Sequence, residues 1–335
     1  MLTAVFSLAG ALVFGAADFL GGLAAKRVSS ILATAVASLT GLVLLVIALP
    51  FLGGAWTPHD LFWGVISGIA GAVAISLLYA CLAIGPMSIL SPLTAVVSAI
   101  VPMVWGLLVG GERFATLGYW ALGLALVAVV LVGFVPERGA VRPSLRGILM
   151  AIGSGIAIGA FYITISQTSD ESGVVPLLIN RGVNVVIMFT VLGVLALVAG
   201  ARHRRAGVVM GEWMPPSAAP SVVGDRTDPP AASPAAARTG RRDAAPTRTL
   251  ARPAPSDLAL GIRLAIACGV VDVAANVLLL LAIRSGDLSV AAVLGAMYPA
   301  GTIILAAVVL KERIAPVQWA GLVLALAAAG MLALA

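Results

Sequence analysis

Apolar runs of membrane-spanning length, separated by short polar clusters, dominate the pattern of this chain. A helix needs about 20 mostly apolar residues to cross a bilayer. Charges, glycines and prolines divide the chain into ten such runs. The runs lie near residues 3–25, 30–50, 60–84, 87–110, 115–135, 145–168, 174–200, 258–283, 288–310 and 315–334. Because open strands leave backbone groups unpaired in lipid, the pattern predicts an all-α integral membrane bundle of ten transmembrane helices.

Residues 201–257 interrupt this pattern between spans seven and eight. Prolines recur there from Pro215 to Pro255 and alternate with Ala, Ser and Arg. Such a composition offers too little apolar surface to form a packed core. The stretch is therefore predicted to be a disordered loop.

Two segments 200 residues apart are similar to each other. They are "VGGERFATLGYWALGLALVA" from 109 to 128 and "VLKERIAPVQWAGLVLALAA" from 309 to 328. In both, a Glu-Arg pair follows the fourth of five spans, which indicates an internal repeat with halves 1–138 and 139–335. Because five is odd, the second half must enter the membrane from the opposite side. Inverted repeats of this kind are typical of secondary transporters.

The composition supports the membrane class and excludes several others. Hydrophobic residues make up 61% of the 335 residues and charged residues 10%, with a net charge of +6. Ordinary globular chains are about half apolar and about a quarter charged. The basic residues lie in loops between spans rather than on an aromatic-rich surface, so no nucleic-acid partner is expected.

No sequence motif points to a cofactor, a metal or catalysis. Cys81 and Cys268 lie inside apolar runs without zinc-site spacing, and His59 and His203 stand in different loops. The sequence contains no Walker loop and no G-x-S-x-G elbow. We therefore expect neither enzyme activity nor a bound metal or cofactor.

The chain resembles the drug/metabolite transporter superfamily, in particular its EamA-type members with two repeats and ten helices. The resemblance covers nearly the whole chain except 201–257, a loop longer and more basic than the family pattern. Arg181 resembles an arginine common early in the seventh span. The segments that carry the resemblance are "GERFATLGYWALGLALVAVVLVG", "KERIAPVQWAGLVLALAAAG", "YACLAIGPMSILSPLTAVVSAIVP", "LLALAIRSGDLSVAAVLGAMYPAG" and "FGAADFLGGLAAKR". The resemblance implies transport of a small organic solute, without naming the solute.

Basic residues outside the long loop predict the orientation in the membrane. Those on the side reached after odd-numbered spans are Lys26, Arg27, Arg138, Arg142, Arg146, Lys311 and Arg313, whereas the other side has Arg113 and Arg284. Cytoplasmic loops are enriched in Lys and Arg, so this bias places both termini outside. Members of the family are often drawn with their termini inside, which is the alternative.

Three ionisable residues lie inside predicted spans: Asp18, Arg181 and Asp272. Each costs roughly 2.5 to 3.5 kcal/mol at a helix centre, so such residues usually face a cavity or a partner. With about 1.5 Å of rise per residue, Arg181 and Asp272 lie roughly 10 and 16 Å from the same membrane face. They are therefore expected either to line a transport cavity or to form an ion pair that neutralises itself. Asp18 is either a proton-binding carboxylate or a partner of Lys26.

Further polar and special residues are candidates for substrate contact or gating. Asn180 and Asn184 flank Arg181, and Asn276 lies one turn beyond Asp272; interhelical hydrogen bonds are the alternative role. The candidate aromatic contacts, each of which can equally be packing or interfacial residues, are Tyr79, Trp105, Tyr162 and Tyr298. The candidate gating residues are prolines at corresponding places in spans four and nine: Pro92, Pro102 and Pro299.

Small residues and charged corners have a predicted structural role. Glycines spaced one turn apart, as in the pairs 64 and 68, 106 and 110, and 155 and 159, allow close helix approach. The corners at Glu112-Arg113 and Glu312-Arg313 are predicted to cap helix ends at the membrane surface, with gate salt bridges as the alternative.

These patterns together favour one function over two others. The hypothesis is a multi-pass plasma-membrane transporter that exports a metabolite or drug by alternating access, with protons as a candidate coupling ion. Its expected partners are a small-molecule substrate and the lipid bilayer, and its oligomeric state is open. The alternatives are a membrane scaffold and a lipid-modifying enzyme. Sparse polar residues argue against the enzyme and the repeat argues against the scaffold.

Overall fold

The computed structural model describes residues 1–84, 87–133, 144–212, 255–309, 311 and 314–334. Met1–Leu192 and Ala254–Ala335 form one compact unit. Gly193–Pro253 forms a second unit, of which only helical residues up to Glu212 are described.

Helices account for nearly all of the described residues, and no strand occurs among them, which confirms the all-α prediction. Nine helical stretches in the described part of the chain are long and apolar enough to cross a membrane, and Pro92–Leu108 is a shorter apolar stretch. The helices are α1 (Leu2–Ala25), α2 (Ser30–Leu52), α3 (Pro58–Ile84), α4 (Met87–Leu108), α5 (Thr116–Gly133), α6 (Leu145–Ser166), α7 (Val175–Glu212), α8 (Pro255–Arg284), α9 (Leu288–Gly295), α10 (Tyr298–Val309) and α11 (Pro316–Leu334).

The structure differs from the predicted spans in two places. The prediction of a disordered loop at 201–257 is wrong at both ends, because α7 continues to Glu212 and α8 already begins at Pro255. The rest of that prediction, residues 213–254, lies outside the described residues. Residues 201–212 contain no proline and several good helix formers, and the helix continues through Gly207 and Gly211. The ninth span, predicted as one helix over 288–310, consists of α9 and α10 with a turn at Ala296 and Met297.

Local capping signals explain where several helices begin. Ser29 and Ser144 accept hydrogen bonds from the third backbone N–H after them, Leu32 and Gly147, at 3.2 Å each. Thr57 and Asp60 form a reciprocal pair at the start of α3: the Asp60 N–H donates to the Thr57 hydroxyl at 3.0 Å. The Thr57 hydroxyl donates back to the Asp60 carboxylate at 2.6 Å. The side-chain oxygens of Ser29, Ser144 and Thr57 thus accept backbone N–H groups that have no partner within the first turn of a helix.

The helices of the two predicted halves interleave. Helix α1 packs on α8 and α10, α2 on α8, α3 on α6, α4 on α6 and α9, and α5 on α11. Each of these pairs joins a helix from before residue 138 to one from after it. The core between them is rich in alanine, valine and leucine. The two halves therefore share one core instead of forming two separate domains.

The predicted glycine pairs 64 and 68, and 155 and 159, lie where helices approach each other closely, whereas Gly110 of the third pair meets only its own helix. A Cβ on Gly68 would lie 2.7 Å from Val183 Cβ on α7. A Cβ on Gly159 would lie 2.7 Å from Val101 Cβ on α4. Without a strong hydrophobic drive between helices in lipid, such close backbone contacts are the main source of helix association.

The two similar corners share one backbone feature. Gly111 has φ +71° and Lys311 has φ +56°, and each residue precedes a Glu-Arg pair. The left-handed region is costly for a residue with a Cβ, so its occurrence at both corners is a structural counterpart of the sequence similarity. Glu312 and Arg313 lie outside the described residues.

Glu112 confirms the predicted capping role, but it caps a distant helix. Its Oε1 accepts the Leu288 N–H at 2.6 Å, and its Oε2 accepts the Ser289 N–H at 3.2 Å. The N-cap residue of α9, Asp287, makes no side-chain cap of its own. A carboxylate at a helix N-terminus satisfies free N–H groups and interacts well with the helix dipole. Glu112 thus ties the end of α4 to the start of α9.

Replacing Glu112 with alanine is expected to lower the free energy of unfolding by about 2 kcal/mol, because partly buried N–H groups lose their acceptor. The measurement is thermal unfolding of the purified protein in detergent. The matched control is Glu171→Ala, which removes an exposed carboxylate and should leave the melting temperature unchanged. Equal melting temperatures for the two variants would contradict the capping role.

Candidate functional site

A cavity of about 190 Å³ lies inside the bundle, between α1, α3, α4, α6, α7, α8 and α10. A single buried water needs only roughly 10 to 15 Å³ by the same kind of measure, so the space is large enough for an organic group. Most of its wall is apolar, and the polar groups come from a small number of side chains. A mostly apolar pocket with a few convergent polar groups is the usual form of a small-molecule site.

Arg181 and Asp272 meet on the wall of this cavity. The Arg181 guanidinium on α7 donates to the Asp272 carboxylate on α8, although 91 residues separate them in sequence. Their side chains are 11% and 23% exposed, so both remain partly open to the cavity. The two expectations from the sequence, pairing and lining a cavity, thus describe the same arrangement.

Asp18 on α1 lines the same cavity and does not pair with Lys26. Its side chain is accessible, and it makes no hydrogen bond or ion pair within the described residues. Asp272 lines this cavity as well. The cavity therefore contains two carboxylates and one guanidinium.

The three predicted asparagines also reach the cavity. The Asn180 amide N–H donates to the Ser67 hydroxyl at 3.1 Å, and the Asn184 amide N–H donates to the Asn180 carbonyl at 3.1 Å. The Asn276 amide N–H donates to the Asp272 backbone carbonyl at 2.8 Å. These bonds fix the amides against α3, α7 and α8. Only the Asn180 bond joins two helices, whereas the bonds of Asn184 and Asn276 stay within α7 and within α8. All three residues line the cavity, and the bonds described here meet the interhelical role for Asn180 only.

Only some of the predicted aromatic residues lie at the cavity. Tyr162 and Tyr298 line it, from α6 and from the first residue of α10. Trp105 does not line it; its side chain is 39% exposed on the outside of α4. The side chain of Tyr79 lies outside the described part of the structure. A period of 3.6 residues with apolar residues on every face does not show which side of a helix points inward.

The candidate gating prolines have different surroundings. Pro299 follows the turn between α9 and α10 and is buried. Helix α4, in contrast, remains one helix through Pro92 and Pro102. Proline lacks a backbone N–H, so each of the two leaves one carbonyl of α4 without its usual helical partner. The predicted interruption thus occurs in the ninth span only.

Sequence reasoning missed several cavity residues. Phe14, Phe161 and Ser98 lie on its wall, together with Ile75 and Leu78 of α3. Phe14 lies four residues before Asp18, so the spacing of one helical turn was an available signal. The others are ordinary apolar or small residues of a span and carry no signal in a single sequence.

A second polar cluster, also missed, joins the ends of α3, α6 and α8. The fully buried Asp60 carboxylate accepts the Ser169 N–H at 2.7 Å and the Ser169 hydroxyl at 2.8 Å. The Arg284 guanidinium donates to the Ser169 backbone carbonyl and to the Ser172 hydroxyl, at 2.9 Å each. This cluster therefore links α3 to α8 through the short segment after α6.

The described residues contain no group of three or more His, Cys, Asp and Glu side chains that could hold a metal ion. The arrangement of the cavity is one that binds: fixed amides, one ion pair, one unpaired carboxylate and aromatic walls. Its position within the spans means that a solute there would be held between the two membrane faces.

Part of the chain matches a known protein family. Residues 234–334 match the model of the EamA-like transporter family. With the apolar helices, this match supports an EamA-type drug/metabolite transporter-like protein. The matched segment includes α8 to α11 and therefore Asp272, Asn276 and Tyr298. No curated protein matches the chain.

Solved structures support the fold of this chain. One crystal structure of a protein superimposes with a TM-score of 0.66 at 14% sequence identity, over 99% of this chain and 96% of the other. At such low identity the likeness concerns the fold alone. The family match and the apolar helices support a multi-pass membrane protein.

Proposed function

We propose that the chain is a secondary transporter that exports small organic solutes across the plasma membrane by alternating access. The observation that carries this proposal is the cavity, with its charged and amide side chains, inside the membrane-spanning part of the bundle. Ionisable groups inside spans are costly, and they typically mark the path of a substrate or an ion. No cofactor is part of the proposal.

The packing pattern supports two inverted repeats, 1–138 and 139–335. The contact of α1 with α8 corresponds to that of α3 with α6, because each joins a first helix to the third helix of the other half. The contact of α4 with α6 likewise corresponds to that of α1 with α10. Alternating access follows when the halves exchange equivalent conformations around a central site. The basic loops face the cytoplasm in this proposal, as the charge bias indicates.

The contacts at one end of the bundle are candidates for a gate. The Glu112 cap on α9 and the Asp60, Ser169 and Arg284 cluster both join the two halves near the same helix ends. The break before Tyr298 and Pro299 gives the ninth span a place to bend. We propose that these contacts break when that face opens. In α4, the missing backbone hydrogen bonds at Pro92 and Pro102 would allow bending that corresponds to the bend in the ninth span. Asp18, unpaired and accessible, is the candidate site for a coupled proton.

The test is solute movement in proteoliposomes, with amino acids, nucleosides, sugars and cationic dyes offered with and without a pH gradient. The informative variant is Ile75→Trp, which fills the cavity from α3. Transport should fall at least about tenfold, an effect of roughly 1.4 kcal/mol on the barrier. The matched control is Ile69→Trp, at a 45% exposed position on the same helix, which should transport normally.

The alternatives predict different results in the same assay. A scaffold or a lipid-modifying enzyme would move no solute under any gradient, and that outcome would contradict the proposal. Equal transport by the two tryptophan variants would show that the solute does not pass through this cavity.

A further inference from the structure

The charges around the cavity do not balance. Arg181 is the single basic side chain among the described lining residues, and it is already paired with Asp272. Asp18 is then a second carboxylate on the same wall, with no ion pair or hydrogen bond in the described part of the chain. When both carboxylates are ionised, the lining groups have a net charge of −1. An anionic solute would add to this imbalance, whereas a cation would remove it.

An unpaired hydrogen-bond acceptor points to the same conclusion. Asn184 is 4% exposed and lines the cavity, yet its Oδ1 has no hydrogen-bond partner. The orientation of the amide is fixed, because its N–H group donates to the Asn180 backbone carbonyl, which can only accept. A rotated amide would set two acceptors against each other. A buried acceptor without a donor is costly, so a bound group with an N–H or O–H is expected to satisfy it.

The remaining wall of the cavity suits the apolar part of such a solute. Phe14, Phe161, Tyr162 and Tyr298 contribute aromatic rings from three different helices. The Phe161 and Tyr162 rings lie edge to face with centroids 5.8 Å apart. Aromatic faces attract cations as well as apolar groups. The aromatic wall is therefore compatible with both the charged group and the apolar part of an organic cation.

We propose that the cavity binds an organic ammonium ion with an aromatic or apolar body, whose N–H groups face Asn184 Oδ1 and whose charge faces Asp18. This proposal rests on the function proposed above, for which it names the solute class. Arg181 has further N–H groups, but Asp272 beside it already neutralises its charge. An anion would therefore have to displace a carboxylate that lies on the same wall.

The experiment measures binding to the purified full chain in detergent by isothermal calorimetry. Four probes share one phenyl body: 2-phenylethylammonium, its N,N,N-trimethyl derivative, 2-phenylethanol and 3-phenylpropionate. The primary ammonium should bind at least about tenfold more tightly than the other three probes. The trimethyl derivative keeps the charge but has no N–H, so it separates the contribution of hydrogen bonds from that of the charge.

Two variants assign this preference to residues. Asp18→Asn should weaken binding of both cations at least about tenfold and leave the alcohol unchanged. Asn184→Leu should reduce the preference for the primary ammonium over the trimethyl derivative. The controls are Asp257→Asn, on an exposed carboxylate, and Thr190→Val, on an exposed hydroxyl of the same helix as Asn184. Neither control should change any of the four affinities.

The outcomes separate this proposal from the transport function. Tightest binding of 3-phenylpropionate or of 2-phenylethanol would overturn the cation proposal even if transport were observed. Binding of the primary ammonium with the expected variant effects would support it even if proteoliposomes moved no solute. An Asp18→Asn variant that melts like the unmodified protein but keeps full cation affinity would also overturn it.

Discussion

Replacement of Arg181 with alanine is expected to abolish solute transport and to lower the free energy of unfolding by about 3 kcal/mol, because Asp272 is left as an uncompensated charge. The estimate is at the low end for a broken buried pair, since both side chains are partly open to the cavity. Transport is measured in proteoliposomes and stability by thermal unfolding in detergent. The reverse change, Asp272→Leu, should give similar losses.

The double variant Arg181→Met with Asp272→Leu separates the two effects. It removes both charges and replaces them with apolar side chains, so stability should return to within about 1 kcal/mol of the unmodified protein. Transport should stay at least about a hundredfold reduced, because the polar groups that face the solute are missing. The exposed pair of Arg27 and Asp257 is the matched control: the same double replacement there should leave transport intact. Normal transport by the Arg181 and Asp272 double variant would show that this pair only stabilises the fold.

Replacement of Gly155 with valine is expected to cost about 3 kcal/mol of stability, at the upper end of the usual range for overpacking, and to remove most of the folded protein. A Cβ at this position would lie 2.6 Å from Val97 Cβ and 2.8 Å from the Thr94 carbonyl oxygen, both on α4. A backbone carbonyl cannot rotate away as a flexible side chain can. Helices α4 and α6 would therefore have to separate. The measurement is the yield of monodisperse protein in detergent together with its melting temperature.

The control for this prediction is Gly123→Val on α5. Gly123 is exposed and has nothing within 4 Å of an added Cβ, so valine there should leave yield and melting temperature unchanged. A folded Gly155 variant with a normal melting temperature would contradict the close contact of α4 and α6.

The sequence predicted most of the helices because membrane insertion is a local requirement. Each span must satisfy its own backbone and present an apolar surface to lipid, and both properties are visible within about 20 residues. The ends were less accurate, as in α7, where residues 201–212 extend the helix beyond its apolar part. The division of the ninth span before Tyr298 was indicated by Pro299, but Pro92 and Pro102 gave the same signal in α4 without dividing it.

The candidate site was predictable where its residues are costly in lipid. Asp18, Arg181, Asp272 and the asparagines were found because a polar group is costly in a membrane span and usually faces a cavity or a partner there. The tyrosines and Trp105 have no such requirement, since an aromatic side chain is stable in the core, in the cavity or against lipid. Tyr162 and Tyr298 lie at the cavity and Trp105 lies outside it, and no feature of the sequence separates them.

The sequence by itself determined the membrane class, the spans, the similar corners and the few polar residues that the spans contain. The tertiary structure alone decided that Asp272 pairs with Arg181 and leaves Asp18 unpaired, and that Glu112 caps α9. The physical reason is that insertion energy depends on each helix separately. Pairing of charges, in contrast, depends on which helix faces come together, and close packing at residues such as Gly155 sets those faces.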